Sequence, residues 1–260
     1  MKLDSPAYTL GFTTAVCVVC SLLVAGSNVL LKDRQEVNRQ LYLQKNVLQA
    51  SGLVRPGERV PDQKALEIFR TRVEPRLVNL QTGEYVTDAD PARYDQRRAR
   101  GDPTQSREAP PNPAAVRRIP DVAKIYLVKD GNTYSQIVIP VEGLGLYGTL
   151  YGYLALERDT TTIRGLSFYE NRETPGLGGE VDNPKWKLLW PGRKAYGEDW
   201  KPRISLVKGG AGSPGEDPHH VDALAGATMT SNGVTRMLQF WLDDQGFGPY
   251  LRRVRARGGP

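Results

Sequence analysis

Hydrophobic residues are distributed along the chain in three textures. The first is an unbroken apolar run. No charged residue lies between Asp4 and Lys32, and TLGFTTAVCVVCSLLVAGSNVLL is long enough to cross a hydrocarbon core, which takes about 20 helical residues. Residues 1–31 are therefore predicted as a membrane anchor. A cleavable signal peptide is the rival reading, because Ala25-Gly26-Ser27 offers small residues near the end of the run. Apolar residues nevertheless continue through Val29, Leu30 and Leu31. The second texture follows at once. In KDRQEVNRQLYLQKNVLQASGL, the residues Val37, Leu41, Val47 and Leu48 recur at helical period and end at Gly52. One continuous helix leaving the membrane is expected. Residues 56–85 alternate polar turns with apolar stretches. The segment TDADPARYDQRRARGDPTQSREAPPNPAAVRRIP then reads as an irregular loop or mobile flap.

The third texture, from Asp121, has the period of strands. Ile125 to Val128 form one strand, Asp130-Gly131-Asn132 a hairpin turn, and residues 134–139 the return strand. The second half of GLGLYGTLYGYLALE makes another strand, whose glycines permit close approach by a second backbone or a planar ligand. Residues 162–169 and 203–207 are further strands, ENRETPGLGGE is a loop, and residues 231–243 are a helix. The class is α+β. Three segments result: the anchor at 1–31, a helical stalk with the N-terminal part of the soluble domain at 32–120, and an α+β domain at 121–260.

Composition narrows the function. With 260 residues, 39% hydrophobic and 25% charged, the chain can bury a core. The net charge of +6 is scattered apart from Arg97, Arg98 and Arg100 and the cluster Arg252, Arg253, Arg255 and Arg257. No nucleic-acid module accompanies it, so nucleic acid is not an expected partner; the basic residues read mainly as solvated surface, with lipid headgroups or a partner subunit as the lesser alternative for the last cluster. Both cysteines, Cys17 and Cys20, lie inside the apolar run and read as small apolar residues.

The richest segment is Asp222-Ala223-Leu224-Ala225-Gly226-Ala227-Thr228-Met229-Thr230-Ser231. Val234, Met237, Leu238, Trp241 and Leu242 follow at helical spacing, so Thr230 or Ser231 is a natural N-cap. A helix N-terminus offers free N–H groups and partial positive charge, which suits a phosphate. Gly226 and Ala227 leave room for a bulky group beside Thr228. The same residues could equally be a capped helix after a turn. Upstream, Glu173-Thr174-Pro175-Gly176-Leu177-Gly178 combines a proline-fixed turn with glycines that let backbone N–H groups approach a ligand, or it is a surface turn. Lys208 could pair with a phosphate or remain solvated. His219 and His220 are adjacent and do not converge on one metal ion without help.

The run from Asp222 to Thr228 resembles the flavinylation motif of FMN-binding domains, where a transferase attaches FMN through a phosphoester to the last threonine. The resemblance implies Thr228 as the acceptor, with Ala225 standing where the motif has Ser or Thr. EVNRQLYLQKNVLQASGL, FRTRVEPRLVNLQTGEYV, GLGLYGTLYGYLALERD, ENRETPGLGGEV and FGPYLRRVRARG resemble, in order, segments of the NqrC family, a subunit of the sodium-translocating NADH:quinone reductase. That family commonly has His-Gly where this chain has Asn171-Arg172.

The resemblance implies a covalently flavinylated electron-transfer subunit of the bacterial inner membrane, relaying electrons from NADH toward quinone coupled to sodium export. Its expected partners are the other subunits of the complex, the membrane and a flavin transferase. The flavinylated subunit of an Rnf-type electron transport complex and a non-redox, membrane-tethered binding module are the alternatives. No G-x-G-x-x-G fingerprint follows a strand, so the chain alone is not expected to oxidise NADH. Lys32, Arg34, Arg39 and Lys45 after the run favour a cytoplasmic domain by the positive-inside rule. The resemblance implies a single span with the domain on the periplasmic side, and a long domain translocates despite a few flanking charges.

Overall fold

The computed structural model describes residues 5–260; Lys2 and Asp4 of the expected anchor lie outside the described residues. Helix α1 (Pro6–Ala50) is a single helix of 45 residues, as the two successive patterns require. It holds a stretch long and apolar enough to cross a membrane, with none of that stretch buried. The helix ends where Gly52 takes φ +71°, a left-handed value that only glycine adopts freely, and Gly52 N donates to Gln49 O at 3.1 Å. The chain divides into two compact units, Met1–Tyr42 and Leu43–Pro260.

In the second unit, helix α2 (Asp62–Arg72) leads into β1 (Val73–Asn79). A short β2 (Tyr85–Val86) follows, then β5 (Val122–Asp130), β6 (Thr133–Leu144), β7 (Thr149–Glu157) and β8 (Ile163–Glu170). These six strands form one antiparallel sheet in the order β2-β1-β5-β6-β7-β8. Because β1 lies beside β5, the boundary expected at residue 120 runs through one sheet; strand pairing overrides the local change of texture. The hairpin at Gly131 forms as expected, with φ +60°.

Alternation along the strands gives the sheet two buried faces. Leu150, Leu154 and Leu156 of β7 join Ile125, Leu127, Ile137 and Ile139 against helix α5 (Thr228–Leu242), whose Val234, Met237, Leu238 and Trp241 complete that core. Helix α6 (Gly248–Arg257) adds Tyr250, Leu251 and Val254. On the opposite face Tyr126, Tyr153, Tyr169 and Tyr151 make a row of ring contacts 5.0–6.2 Å apart. The last turn of α1 packs there too, bringing Val47, Leu48 and Ala50 to full burial.

The expected mobile flap is an ordered cover. Asp95 caps helix α3 (Gln96–Gly101) by accepting from Arg97 N and Arg98 N. Strands β3 (Ser106–Glu108) and β4 (Arg118–Pro120) pair with each other. Arg97 lies 3.7 Å above the Tyr151 ring and bonds Glu170 at 2.8 Å, while Arg100 pairs with Glu142. Composition counted these arginines as solvated surface, whereas their stems and guanidinium planes cover the tyrosine row. The Arg252–Arg257 cluster is also engaged in part: Arg252 pairs with Asp244, Arg253 with Glu84 at 2.8 Å, and Arg255 stacks 4.5 Å from the Trp200 ring.

Helix α1 and β8 meet at Gly165, where an added Cβ would sit 2.5 Å from the Ala50 carbonyl oxygen. Gly165→Ala should therefore destabilise the domain by about 1–3 kcal/mol, the usual cost of overpacking. Urea unfolding of the detergent-solubilised chain checks this; an unchanged midpoint would show that the contact yields freely.

Candidate functional site

The site is built at the N-terminus of α5. The expected helix start near Ser231, capped by Thr230 or Ser231, is corrected by one turn: the helix begins at Thr228, Ala227 occupies the cap position, and no side chain caps it. The reason lies in where the two hydroxyls go. Thr230 Oγ1 donates to Glu173 Oε2 at 2.5 Å, and Ser231 Oγ accepts from Leu224 N at 3.0 Å. With neither free to cap, the helix extends backward until Gly226, at φ +70°, ends it. The first helical bond of that extension is Ser231 N to Ala227 O at 3.0 Å. Thr228 stands exposed in the first turn, and the leading N–H groups of the helix have no side-chain acceptor.

Glu173 is the hub. Its carboxylate is buried, and besides the Thr230 hydroxyl it accepts Leu146 N at 2.9 Å and Tyr147 N at 3.1 Å. One side chain thus joins the loop after β8, the β6–β7 loop and the first turn of α5. The neighbouring glycines make room for it. A Cβ at Gly178 would come within 2.5 Å of both Glu173 Oε2 and Thr230 Oγ1, and one at Gly145 would collide with Glu173 Oε1. The glycines predicted to admit a ligand or a backbone admit a carboxylate here. Gly143 and Gly233 serve the expected backbone approach, packing against Met237 and the Leu144 carbonyl.

The remaining predicted residues divide. Gly226 meets Leu177, whose Cδ2 would be 3.0 Å from an added Cβ, so the two predicted segments do touch. Ala227 does not line open space; it is buried in the core, and its smallness serves packing. Asp222 ends strand β10 (His220–Asp222), parallel to β9 (Ser205–Val207), and its Oδ1 accepts Ala211 N at 2.9 Å. Lys208 follows β9 in an exposed bend. Thr174, Pro175 and Gly176 are exposed in the loop, with Gly176 at φ +78°. His219 Nδ1 bonds the Lys194 carbonyl at 3.0 Å, and His220 Nδ1 bonds Asp217 at 2.7 Å, so the two rings engage different partners. Residues that sequence reasoning did not single out at this place are Leu146, Tyr147 and Met229. The glycine-rich run around the first two was the available signal.

Leu177, Met229, Leu146 and Tyr147 are 45%, 57%, 47% and 65% exposed, all on elements that Glu173 gathers. Apolar surface of this kind together with an exposed hydroxyl and an uncapped helix start suits a planar ring with a phosphate tail. The donor set therefore fits a flavin mononucleotide.

Residues 145–243 match the family model described as FMN-binding domain. The NqrC protein of the Na(+)-translocating NADH-quinone reductase from Vibrio vulnificus is 44% identical over 257 residues, covering 98% of both chains. Its Pseudomonas aeruginosa counterpart is 41% identical over 97% of each. The chain belongs to this NqrC family. The crystal structure of Shewanella oneidensis NqrC agrees, with TM-score 0.76 at 37% identity over 82% of this chain and 96% of that one. The corresponding structure from Parabacteroides distasonis gives TM-score 0.65 at 26% identity over 85% of this chain and 96% of that one. The match to the Vibrio and Pseudomonas relatives spans the anchor helix as well as the sheet, which a shared flavin domain alone would not require.

Substitutions at two glycines should separate clamp from loop. Gly178→Ala pushes apart the Glu173–Thr230 pair and should cost about 2–4 kcal/mol, an overpacking cost plus a lost charged hydrogen bond. Gly176→Ala meets open space and bears only the left-handed backbone cost of roughly 1–2 kcal/mol. Denaturant titration of both variants measures the order; equal costs would contradict the clamp.

Proposed function

We propose that this chain is the FMN-bearing electron-transfer subunit of a Na(+)-translocating NADH-quinone reductase, with the flavin held covalently through its phosphate on the Thr228 hydroxyl. The observation that carries this reading is Thr228 exposed in the first turn of an uncapped helix that Glu173 ties to the loops bearing exposed Leu146, Tyr147 and Leu177. Membership of the NqrC family supports the redox role.

In this reading the Thr228 oxygen forms a bond to the flavin phosphorus as a P–O bond to a leaving group breaks, the hydroxyl proton departing with that group, so that the net change is FMN added and one water lost. The leading amides of α5 donate to the phosphoryl oxygens, and the helix dipole favours the remaining negative charge. The apolar side chains of the β6–β7 and 173–178 loops hold a ring system and exclude water from its faces. Bound FMN supplies one- and two-electron transfer there. Thr230 is not the acceptor, because its hydroxyl is buried and committed to Glu173. In the same reading Asp222 opens the motif that a flavin transferase recognises, and exposed Lys208 offers a positive charge to the phosphate. The reading also places residues 6–31 in the bacterial inner membrane as a single span, with the soluble domain on the periplasmic side beside the other subunits of the complex.

Co-expression with a flavin transferase should add the mass of FMN less one water. Thr228→Ala should abolish the addition, whereas Thr230→Ala should retain it at reduced stability. Intact-protein mass spectrometry decides; a flavin persisting after denaturation of the Thr228→Ala protein would refute the assignment. For topology, protease added to spheroplasts should remove the domain, and full protection until lysis would place it in the cytoplasm.

A further inference from the structure

A line of polar contacts joins the last turn of α1 to the Glu173 loop. Ser167 on β8 is fully buried and donates its hydroxyl to Asn46 Oδ1 at 2.9 Å. The same hydroxyl oxygen accepts from Lys187 Nζ at 3.1 Å. Lys187 lies in α4 (Pro184–Lys187) and faces Asp182 Oδ1 at 3.7 Å. Asp182 Oδ2 accepts from Asn171 Nδ2 at 2.8 Å, and Asn171 Oδ1 accepts the Glu173 backbone N–H at 3.2 Å. The Ser167 hydroxyl and the Asn171 amide each donate to one neighbour and accept from another, which lets the line run through them. Asn171 is the member that links the clamp residue to the rest.

Lys187 is the energetic oddity in the line. Its side chain is 7% exposed, while that of Asp182 is 51% exposed. Burial pulls the ammonium below the ordinary lysine range, with Asp182 opposing. A half-solvated carboxylate at 3.7 Å does not return the full cost of taking that ammonium out of water. A methionine would fill similar space without the cost, so Lys187 weakens global stability while making a local connection.

We propose that Lys187 is a positioning residue that, through Asp182 and Asn171, fixes the backbone at Glu173 and hence the seat of the flavin. The consequence for the cofactor rests on the flavin reading above; the contacts themselves do not. An ion pair and two hydrogen bonds hold a loop whose other residues are largely exposed. Their loss should raise local opening far more than global unfolding.

The test is hydrogen exchange by mass spectrometry on the full chain in detergent, with and without flavin. Lys187→Met should keep or raise the melting temperature. At the same time it should speed exchange about 5- to 30-fold in peptides spanning residues 145–148 and 171–179. Peptides from the middle of α5 should exchange as in the wild type, and Lys187→Arg should restore slow exchange. In flavinylated protein the midpoint potential should shift in the methionine variant and return in the arginine variant. Should Lys187→Met fail to fold, Asn171→Ala breaks the same line from its partly exposed end and should give the same local pattern. Wild-type exchange in every folded variant would overturn the proposal. Absence of flavin on Thr228 would overturn the proposed function instead and leave the exchange result standing.

Discussion

The site depends on one buried carboxylate with three donors. Glu173 takes two backbone N–H groups from the β6–β7 loop and one hydroxyl from α5. This side chain ties the three segments together by hydrogen bonds, alongside the close packing of Gly233 on the Leu144 carbonyl and of Leu177 near Gly226. A buried carboxylate is tolerable because hydrogen bonds occupy both of its oxygens. Removing it would leave the buried Thr230 hydroxyl without its partner, at a cost of roughly 1–3 kcal/mol, and release two loop amides.

That constraint also explains the helix start. A threonine three positions into a helix ordinarily has little to do, and a serine or threonine just before an apolar run ordinarily caps it. Because Glu173 takes Thr230 and Leu224 takes Ser231, the helix gains a turn without a cap. The leading amides are thereby left for an external acceptor, and Thr228 is carried to the surface beside them. The arrangement that costs the free helix a capping bond leaves its leading amides open to the phosphate of the proposed function.

Much of this was legible in the sequence, for physical reasons. The apolar run and the stalk periodicity each depend on neighbours in sequence, and α1 follows both. The hairpin at Gly131 and strands β5 to β8 carry period-two alternation and a turn dipeptide. The pairing of β1 with β5 was not legible, because Val73–Asn79 sits amid polar turns and gains its place only from a partner more than forty residues away. The proline- and arginine-rich segment misled for a similar reason: Arg97 and Arg100 find their aromatic and acidic partners on β6, β7 and β8, so composition alone could not foresee an ordered cover. At the site, the motif residues were visible. The role of Glu173 as hub was hidden, since it is defined by donors 26, 27 and 57 positions away.

The central claim, that Glu173 and Thr230 together hold the flavin seat, is tested most directly by a double-mutant cycle on Glu173→Ala and Thr230→Val. Unfolding free energies of the wild type, both single variants and the pair give their coupling. A direct charge-assisted bond predicts a coupling of at least about 1 kcal/mol. Simple additivity of the two substitutions would contradict it.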